Sequence, residues 1–273
     1  MKQTLIASVV ASAFLVSAGT AVAADAAAPA PPPPYTITTN VYGVSDYYFR
    51  GITQTWHKPA IQGGVDYVAT SGWYAGLWGS NVSNNSYPGG SGLEVDYYGG
   101  YNGKFSDDWG WTLGGHGYYY PGANTNAVLG PDNTFDTFEV NAGLSYKIVS
   151  VKYSYMLTDW FGINKKLGFT DDSKGTGYLE ANLAYEFTPT YTLNLHAANT
   201  NVKAKLGTHS LDYSDFLIGV TKAFDGGYSA SLAWAKSTYK DSFFWKPTFS
   251  FASAQSISDP GEGRLILSVG RAF

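Results

Sequence analysis

The chain has 273 residues, contains no cysteine and carries a formal net charge of −4 at pH 7. Without cysteine it has neither disulfides nor thiolate metal sites, and an acidic chain is a poor partner for nucleic acid. Aromatic residues make up 16% of the chain and glycine contributes 32 residues. This composition favours strands over helices.

The first 34 residues have the features of export rather than of a folded domain. Lys2 is followed by an apolar run over residues 5–16 and an A-x-A site at residues 21–23. These features predict a cleaved signal peptide over residues 1–23. Residues 24–34 are rich in alanine and proline, which predicts an extended periplasmic leader. We therefore expect the folded domain to occupy residues 35–273.

Apolar and polar residues alternate at period two through the rest of the chain, the pattern of half-buried strands. In chain order it predicts twelve strands, over residues 36–49, 60–68, 73–82, 93–103, 109–120, 135–147, 149–157, 178–187, 191–199, 212–224, 228–237 and 262–273. The same alternation predicts that four leucines face outward, namely Leu144, Leu183, Leu232 and Leu267.

The connections alternate between short turns and longer polar loops, which is typical of outer-membrane barrels. Lipid offers no hydrogen-bond partners, so a spanning sheet must close on itself. The prediction is therefore an all-β fold, a membrane-spanning antiparallel up-and-down β-barrel of about twelve strands in the bacterial outer membrane, with lipid around it. A soluble exported β protein is the alternative. Aromatic girdles are expected at both rims, with Tyr47, Phe49 and Tyr119 and the aromatics of residues 160–161 and 243–245 at the long-loop rim.

The final stretch, RLILSVGRAF, ends on Phe273. It resembles the terminal strand of Gram-negative outer-membrane barrels. That resemblance implies that Phe273 is an assembly signal read by the barrel assembly machinery.

A second resemblance covers mainly the first half of the chain. It is carried by SDYYFRGITQT at 45–55, PAIQGGVDY at 59–67, GWYAGLWGSNV at 72–82, EVDYYGGYNG at 94–103 and GYYYPG at 117–122. These motifs are similar to those of the TorF family of outer-membrane porins, whose substrates are poorly defined. The resemblance implies a barrel porin and brings no catalytic or binding residues with it.

Charged residues on the inward strand face are the candidate site residues. They are Asp46, Arg50, Asp66, Glu94, Asp96, His116, Glu139, Lys152, Glu180 and Glu186. Their excess of carboxylates predicts a lumen that favours cations, although salt bridges within the wall would leave little net field. Asp46 and Arg50 are expected on the first strand, where they could form a polar cluster with Asp66 and Gln62 of the second.

No motif selects a catalytic serine, and the four histidines lack metal-ligand spacing. We therefore expect no enzyme activity, no metal and no cofactor. The leading interpretation is a porin-like channel for passive diffusion of small solutes or ions. The alternative is a closed structural or adhesive barrel with ligand-binding extracellular loops. Twelve strands lie between barrels that are filled and barrels that are open, so pore patency, solute and oligomeric state stay open.

Overall fold

The computed structural model describes residues 33–127, 130–246 and 259–273. The signal peptide and most of the leader lie outside the described residues. Within them the strands are β1 (Tyr35–Val44), β2 (Tyr48–Phe49), β3 (Ile52–Thr53), β4 (Ala60–Ala69), β5 (Trp73–Asn81), β6 (Leu93–Lys104), β7 (Trp109–Tyr119), β8 (Thr137–Tyr146), β9 (Val149–Met156), β10 (Gly177–Thr188), β11 (Tyr191–Asn201), β12 (Lys205–Leu206), β13 (His209–Ser210), β14 (Tyr213–Ala223), β15 (Tyr228–Tyr239) and β16 (Arg264–Ala272).

In the described residues, four short 3₁₀ helices lie in three of the connections, at Thr125–Ala127, Trp160–Gly162, Lys165–Leu167 and Asp225–Gly227. In the described part of the chain, no helix has the length and apolar character needed to cross a membrane.

Twelve of the strands form one closed antiparallel barrel, in the order β1-β4-β5-β6-β7-β8-β9-β10-β11-β14-β15-β16 and back to β1. The remaining four form two small hairpins, β2–β3 and β12–β13. The predicted twelve-stranded closed barrel is therefore confirmed. One strand boundary is wrong: the alternation predicts a first strand that continues to Phe49, whereas β1 ends at Val44.

The barrel closes where β1 meets β16. Paired residues run from Asn40 opposite Ala272 to Val44 opposite Ser268. Next to the Asn40–Ala272 pair, Phe273 N–H donates to the Thr39 carbonyl at 2.8 Å, and Thr39 N–H donates to the Phe273 carbonyl at 3.3 Å. Phe273 thus extends the seam by one residue.

The outer face of the barrel is apolar. Successive side chains of a strand point to opposite faces, and the outward positions carry exposed large residues such as Ile61, Leu77 and Trp73. Leu144, Leu232 and Leu267 are also exposed on this face, as the alternation predicts. An apolar belt outside and polar residues inside suit a barrel surrounded by lipid.

The two ends of the barrel differ in their connections. At one end the turns after β4, β6, β8, β10 and β14 have at most four residues; we call this the short-turn end. At the other, the long-loop end, the connections are longer and fold over the barrel. The expected aromatic girdle at the long-loop end is wrong for Trp160 and Trp245, which are buried in the interior. It is also wrong for Tyr47 and Phe49, whose rings pack inside the barrel.

Candidate functional site

The segment between β1 and β4 folds into the barrel instead of extending the wall. We call residues 45–59 the plug; it contains the β2–β3 hairpin, and residues 46–56 are all buried. The hairpin turns at Arg50 and Gly51, which have φ values of 47° and 73°. Glycine adopts this left-handed region without steric cost. The plug therefore changes direction at Gly51, inside the lumen.

The tip of the plug crosses the lumen to the opposite wall. Counting around the ring, β9 lies six strands from β1 in either direction. Arg50 reaches the strands on both sides of β9: its Nη2 contacts both carboxylate oxygens of Glu139 on β8 at 2.9 and 2.7 Å. The guanidinium also lies 4.2 Å from the ring centroid of Tyr178 on β10. A single arginine thus joins the plug to the far side of the barrel.

Other contacts tie the plug to β14, β15 and the chain before β16. Ser237 Oγ donates to the Gly51 carbonyl at 2.8 Å. Gly51 also packs so closely against Asp215 and Ser237 that a Cβ at this position would collide with both. Thr53 N–H donates to the Pro260 carbonyl at 2.9 Å. This side of the plug is therefore held by backbone as well as side-chain contacts.

On its other side the plug contacts the loop between β5 and β6. Ser83 N–H donates to the Gln54 carbonyl at 2.8 Å, and the Tyr87 hydroxyl donates to Gln54 Oε1 at 2.5 Å. Burial raises the pKa of the Tyr87 phenol well above its usual value, so it remains protonated and able to donate. The plug is therefore fixed at two sides and at its tip.

Asp46 organises the plug internally. Its carboxylate accepts hydrogen bonds from the Thr53 and Thr55 hydroxyls at 2.6 and 3.1 Å and contacts His57 Nδ1 at 2.7 Å. The expectation that Asp46 and Arg50 share the inner face of the first strand is wrong, because both follow the end of β1. They still face the barrel interior, from the plug rather than from the wall.

Two apolar clusters fill the long-loop half around the plug. The first joins plug and wall aromatics: Tyr47 and Phe49 pack with Trp78, Tyr118 and Tyr120. The second joins Ile52 of the plug with side chains of the loops and strand ends, including Met156, Trp160, Leu211, Tyr213 and Trp245. In the described residues, the long-loop half therefore has the character of a packed core.

The predicted wall residues are largely paired. Glu94 accepts from the Tyr120 hydroxyl at 3.0 Å, and His116 Nε2 contacts Asp96 at 2.9 Å. Asp66 accepts from the Tyr98 hydroxyl at 2.6 Å.

Two more of the predicted residues form an ion pair, and one is isolated from the rest. Lys152 and Glu180 pair at 2.7 Å between β9 and β10, while Glu186 is exposed near the short-turn end. The expected cluster of Asp46, Arg50, Asp66 and Gln62 does not form, since Gln62 contacts Ser80 instead.

An acidic excess remains inside despite this pairing. Glu94 Oε2, Asp96 Oδ1 and Asp215 Oδ2 are buried without a hydrogen-bond partner in the described parts of the chain. No group of three or more His, Cys, Asp or Glu side chains there is placed to hold a metal ion.

The short-turn half of the interior is lined mostly by small and polar residues, and the buried ring of Tyr74 lies over two of them, Gly100 and Gly114. Gly100, Gly114, Asn141, Asn182 and Asn194 point inward and are half-buried. We call this half the vestibule. The vestibule leads up to the plug, so the two halves of the lumen differ in chemistry and in packing.

Sequence reasoning missed the plug and the residues that hold it, chiefly Gly51, Tyr178 and Ser237. The sequence holds one local signal. The alternation stops at three consecutive aromatics, Tyr47, Tyr48 and Phe49, whereas a strand with one lipid-facing side places only every second residue on that side. Nothing local indicates that Arg50 reaches Glu139, because 89 positions separate them.

Comparison with known proteins assigns a family and a fold. A model of the family described as "Bacterial protein of unknown function (Gcw_chp)" matches residues 26–273, so the chain belongs to that family. No curated protein matches the chain.

Among solved structures, the chain is similar to two porins. One is titled "KdgM porin in complex with disordered oligogalacturonate", with a TM-score of 0.50, 9% identity, and coverage of 87% of this chain and 99% of that chain. The other is the NanC porin, with a TM-score of 0.51, 10% identity, and coverage of 86% and 98%. At these identities the likeness concerns the fold.

Proposed function

We propose that this member of the Gcw_chp family is an outer-membrane channel for passive diffusion of small solutes or ions, narrowed by the plug. In this proposal the chain is exported by a cleaved signal peptide, the short-turn end faces the periplasm and the long loops face the exterior. The apolar belt supports a membrane location, since charged or polar residues are disfavoured on a lipid-facing surface. The porin fold of the two structural neighbours and the TorF-like motifs agree with the proposal.

The observation that carries the proposal is how the lumen is closed. A barrel built only as a scaffold can fill its interior with side chains from the wall, as eight-stranded barrels do. Here one folded-in segment spans the lumen, tied across it by the Arg50–Glu139 pair, while apart from Tyr74 the vestibule wall carries mostly small or polar residues. A folded-in segment of this kind narrows the passage through the barrel and leaves the barrel wall itself unchanged.

Single-channel recording in a planar bilayer tests the proposal. We expect the wild-type protein to give small conductance steps, and a variant in which residues 46–57 are replaced by a short Gly-Ser linker to give steps several-fold larger. Heat-modifiable gel mobility, which reports a closed barrel, should be the same for both proteins. An absence of conductance in both folded proteins would contradict the proposal.

A closed barrel with ligand-binding external loops is the second candidate. The packed long-loop half favours it, because Trp160, Leu211 and Trp245 are as buried there as in a soluble core. The same recording separates the two, since a closed barrel gives no current even when the plug is replaced.

A further inference from the structure

A small cavity lies between the plug and the long loops. Its volume is about 60 Å³, and its walls include Phe49 from the plug and Tyr87, Phe161 and Tyr213 from loops and a strand end. One water molecule needs roughly 10–15 Å³ measured in this way. The cavity therefore has room for an organic molecule of a few heavy atoms, held between aromatic faces.

Two of the lining residues carry unused hydrogen-bond donors. Arg50 Nη1 and Trp160 Nε1 are buried and have no partner within residues 33–127, 130–246 and 259–273. Both side chains are only 6% exposed. Guanidinium and indole N–H groups can donate but cannot accept, so an occupant that satisfies them must present an acceptor oxygen.

The other polar groups of the cavity are already committed. Gln54 accepts from Tyr87 through Oε1 and donates from Nε2 to the Ile52 carbonyl at 2.9 Å. Thr53 donates to Asp46. The cavity therefore offers free donors and few free acceptors.

Charge selects against an ionic occupant. The charge of Arg50 is already balanced by Glu139, and the carboxylate of Asp215 is buried in the same interior. A bound anion would add a further negative charge to this group, at a high cost in a low-dielectric interior. A cation would meet the positive guanidinium of Arg50 and two N–H donors, with few free acceptors to hold it.

We propose that this cavity binds small neutral organic molecules with an accepting oxygen, such as amides, aldehydes or ketones. This inference rests on the proposed channel function and names its solute class. Since the plug supplies Phe49 and Arg50 to the cavity wall, an occupant lies in the part of the lumen that the plug restricts. The cavity then acts as the selective step, favouring neutral acceptors over ions of the same size.

Three nearly isosteric probes test the inference: acetamide, acetate and acetamidinium, which carry charges of 0, −1 and +1. Saturation-transfer NMR on the folded protein in detergent micelles should show acetamide binding more strongly than either ion. Trp160→Phe removes one donor and keeps the aromatic face, so acetamide should bind roughly two- to tenfold more weakly. Trp73→Phe, on the exposed outer face of β5, is the matched control and should change nothing.

Equal signals from the three probes, or undiminished acetamide binding to Trp160→Phe, would overturn the inference. Because binding is measured without a membrane, its outcome is separate from conductance. If the protein conducts but does not bind acetamide, the channel function stands and the proposed role of the cavity is wrong. If the protein binds acetamide but does not conduct, the cavity is a ligand site, and both the channel function and the proposed selective step are wrong.

Discussion

At the scale of single residues, the face of the sheet to which a side chain points decides whether it lies on the outer surface or in the interior of the barrel. Leu183 and Asn182 are neighbours on β10, yet Leu183 points outward while Asn182 Oδ1 contacts His196 Nδ1 inside the barrel at 2.7 Å. The alternation in the sequence predicts such faces well, because the period of two follows from strand geometry alone.

The two faces should respond differently to the same charged residue. An arginine at a mid-bilayer, lipid-facing site costs roughly 2–4 kcal/mol. We expect Leu183→Arg to lower the free energy of unfolding from lipid vesicles by about that amount, measured by urea titration. Asn182→Arg, one residue away on the inner face, is the control and should cost less. Equal losses would mean that the two faces are assigned incorrectly.

Gly51 determines how closely the plug approaches the wall. A methyl group there would collide with Asp215 and Ser237, and the residue needs a φ of 73°. We expect Gly51→Ala to displace the plug and enlarge the single-channel conductance while leaving the barrel folded.

Gly207→Ala separates the collision from the backbone strain. Gly207 also has a positive φ, 60°, but a Cβ there would have nothing within 4 Å. This control should leave the conductance at the wild-type value. If both alanine variants conduct like the wild type, Gly51 does not set the width of the passage.

At the scale of elements, the strands were predictable and the plug was not. β5 and β6 follow from alternation over nine or more residues, and their bounds differ from the prediction by one residue at most. The plug depends on contacts between Arg50, Glu139 and Tyr178, which come together only when the barrel closes. The period of two through Tyr47 and Phe49 therefore extends the predicted first strand to Phe49, and the break that Tyr48 makes in the alternation does not by itself indicate an inward turn.

The Arg50–Glu139 pair should control the opening of the plug. Removing one partner of a buried ion pair typically costs about 3–5 kcal/mol, because the other charge is left uncompensated. With Ile52→Cys as the only thiol in this cysteine-free chain, we expect Glu139→Gln to raise maleimide labelling by about two orders of magnitude or more.

A double change tests whether the charge is the cause. Arg50→Met with Glu139→Leu, in the same Ile52→Cys background, replaces the pair by apolar groups and leaves no unpaired charge. Its labelling rate should return toward that of the parent. A double variant that labels as fast as Glu139→Gln would assign the effect to lost packing instead.

The seam between β1 and β16 is the other element with a testable role. Phe273 exchanges two backbone hydrogen bonds with Thr39, and the guanidinium of Arg271 lies 4.4 Å from the Phe273 ring centroid. We expect deletion of Phe273 to slow assembly and increase the unfolded periplasmic fraction, as judged by heat-modifiable mobility in pulse-chase samples. Phe273→Tyr, which keeps the ring and the backbone, is the control. Assembly at the wild-type rate after deletion would exclude a role for Phe273 as an assembly signal.

At the scale of the whole molecule, the interior of the barrel has two different environments, one toward each end of the barrel axis. The vestibule is largely polar, whereas the plug and the loops above it form an aromatic core. The composition indicates a barrel but not this division, because buried aromatics such as Trp160 and lipid-facing ones such as Trp73 contribute equally to it. Only the closed structure separates a residue that faces lipid from one that closes the lumen.

The acidic residues in the barrel interior lead to a prediction for ion selectivity. Asp215 is buried on the inner face of β14, and it keeps one carboxylate oxygen without a partner in the described residues. Carboxylates beside a narrow passage attract cations, and the attraction weakens as the Debye length falls from ~30 Å at 0.01 M salt to ~3 Å at 1 M. We therefore expect reversal potentials in a potassium chloride gradient to favour K⁺ at low salt and to lose most of that preference at high salt.

Neutral variants locate the source of this selectivity. Asp215→Asn should reduce the K⁺ preference, because its carboxylate lies in the wall directly beside Gly51 of the plug. Glu186→Gln, which changes an exposed carboxylate near the short-turn end, is the matched control and should have little effect, since water screens that charge. A preference for chloride in the wild type would contradict the prediction. A preference that survives Asp215→Asn would move its source to other interior carboxylates, such as Asp46 and Asp66.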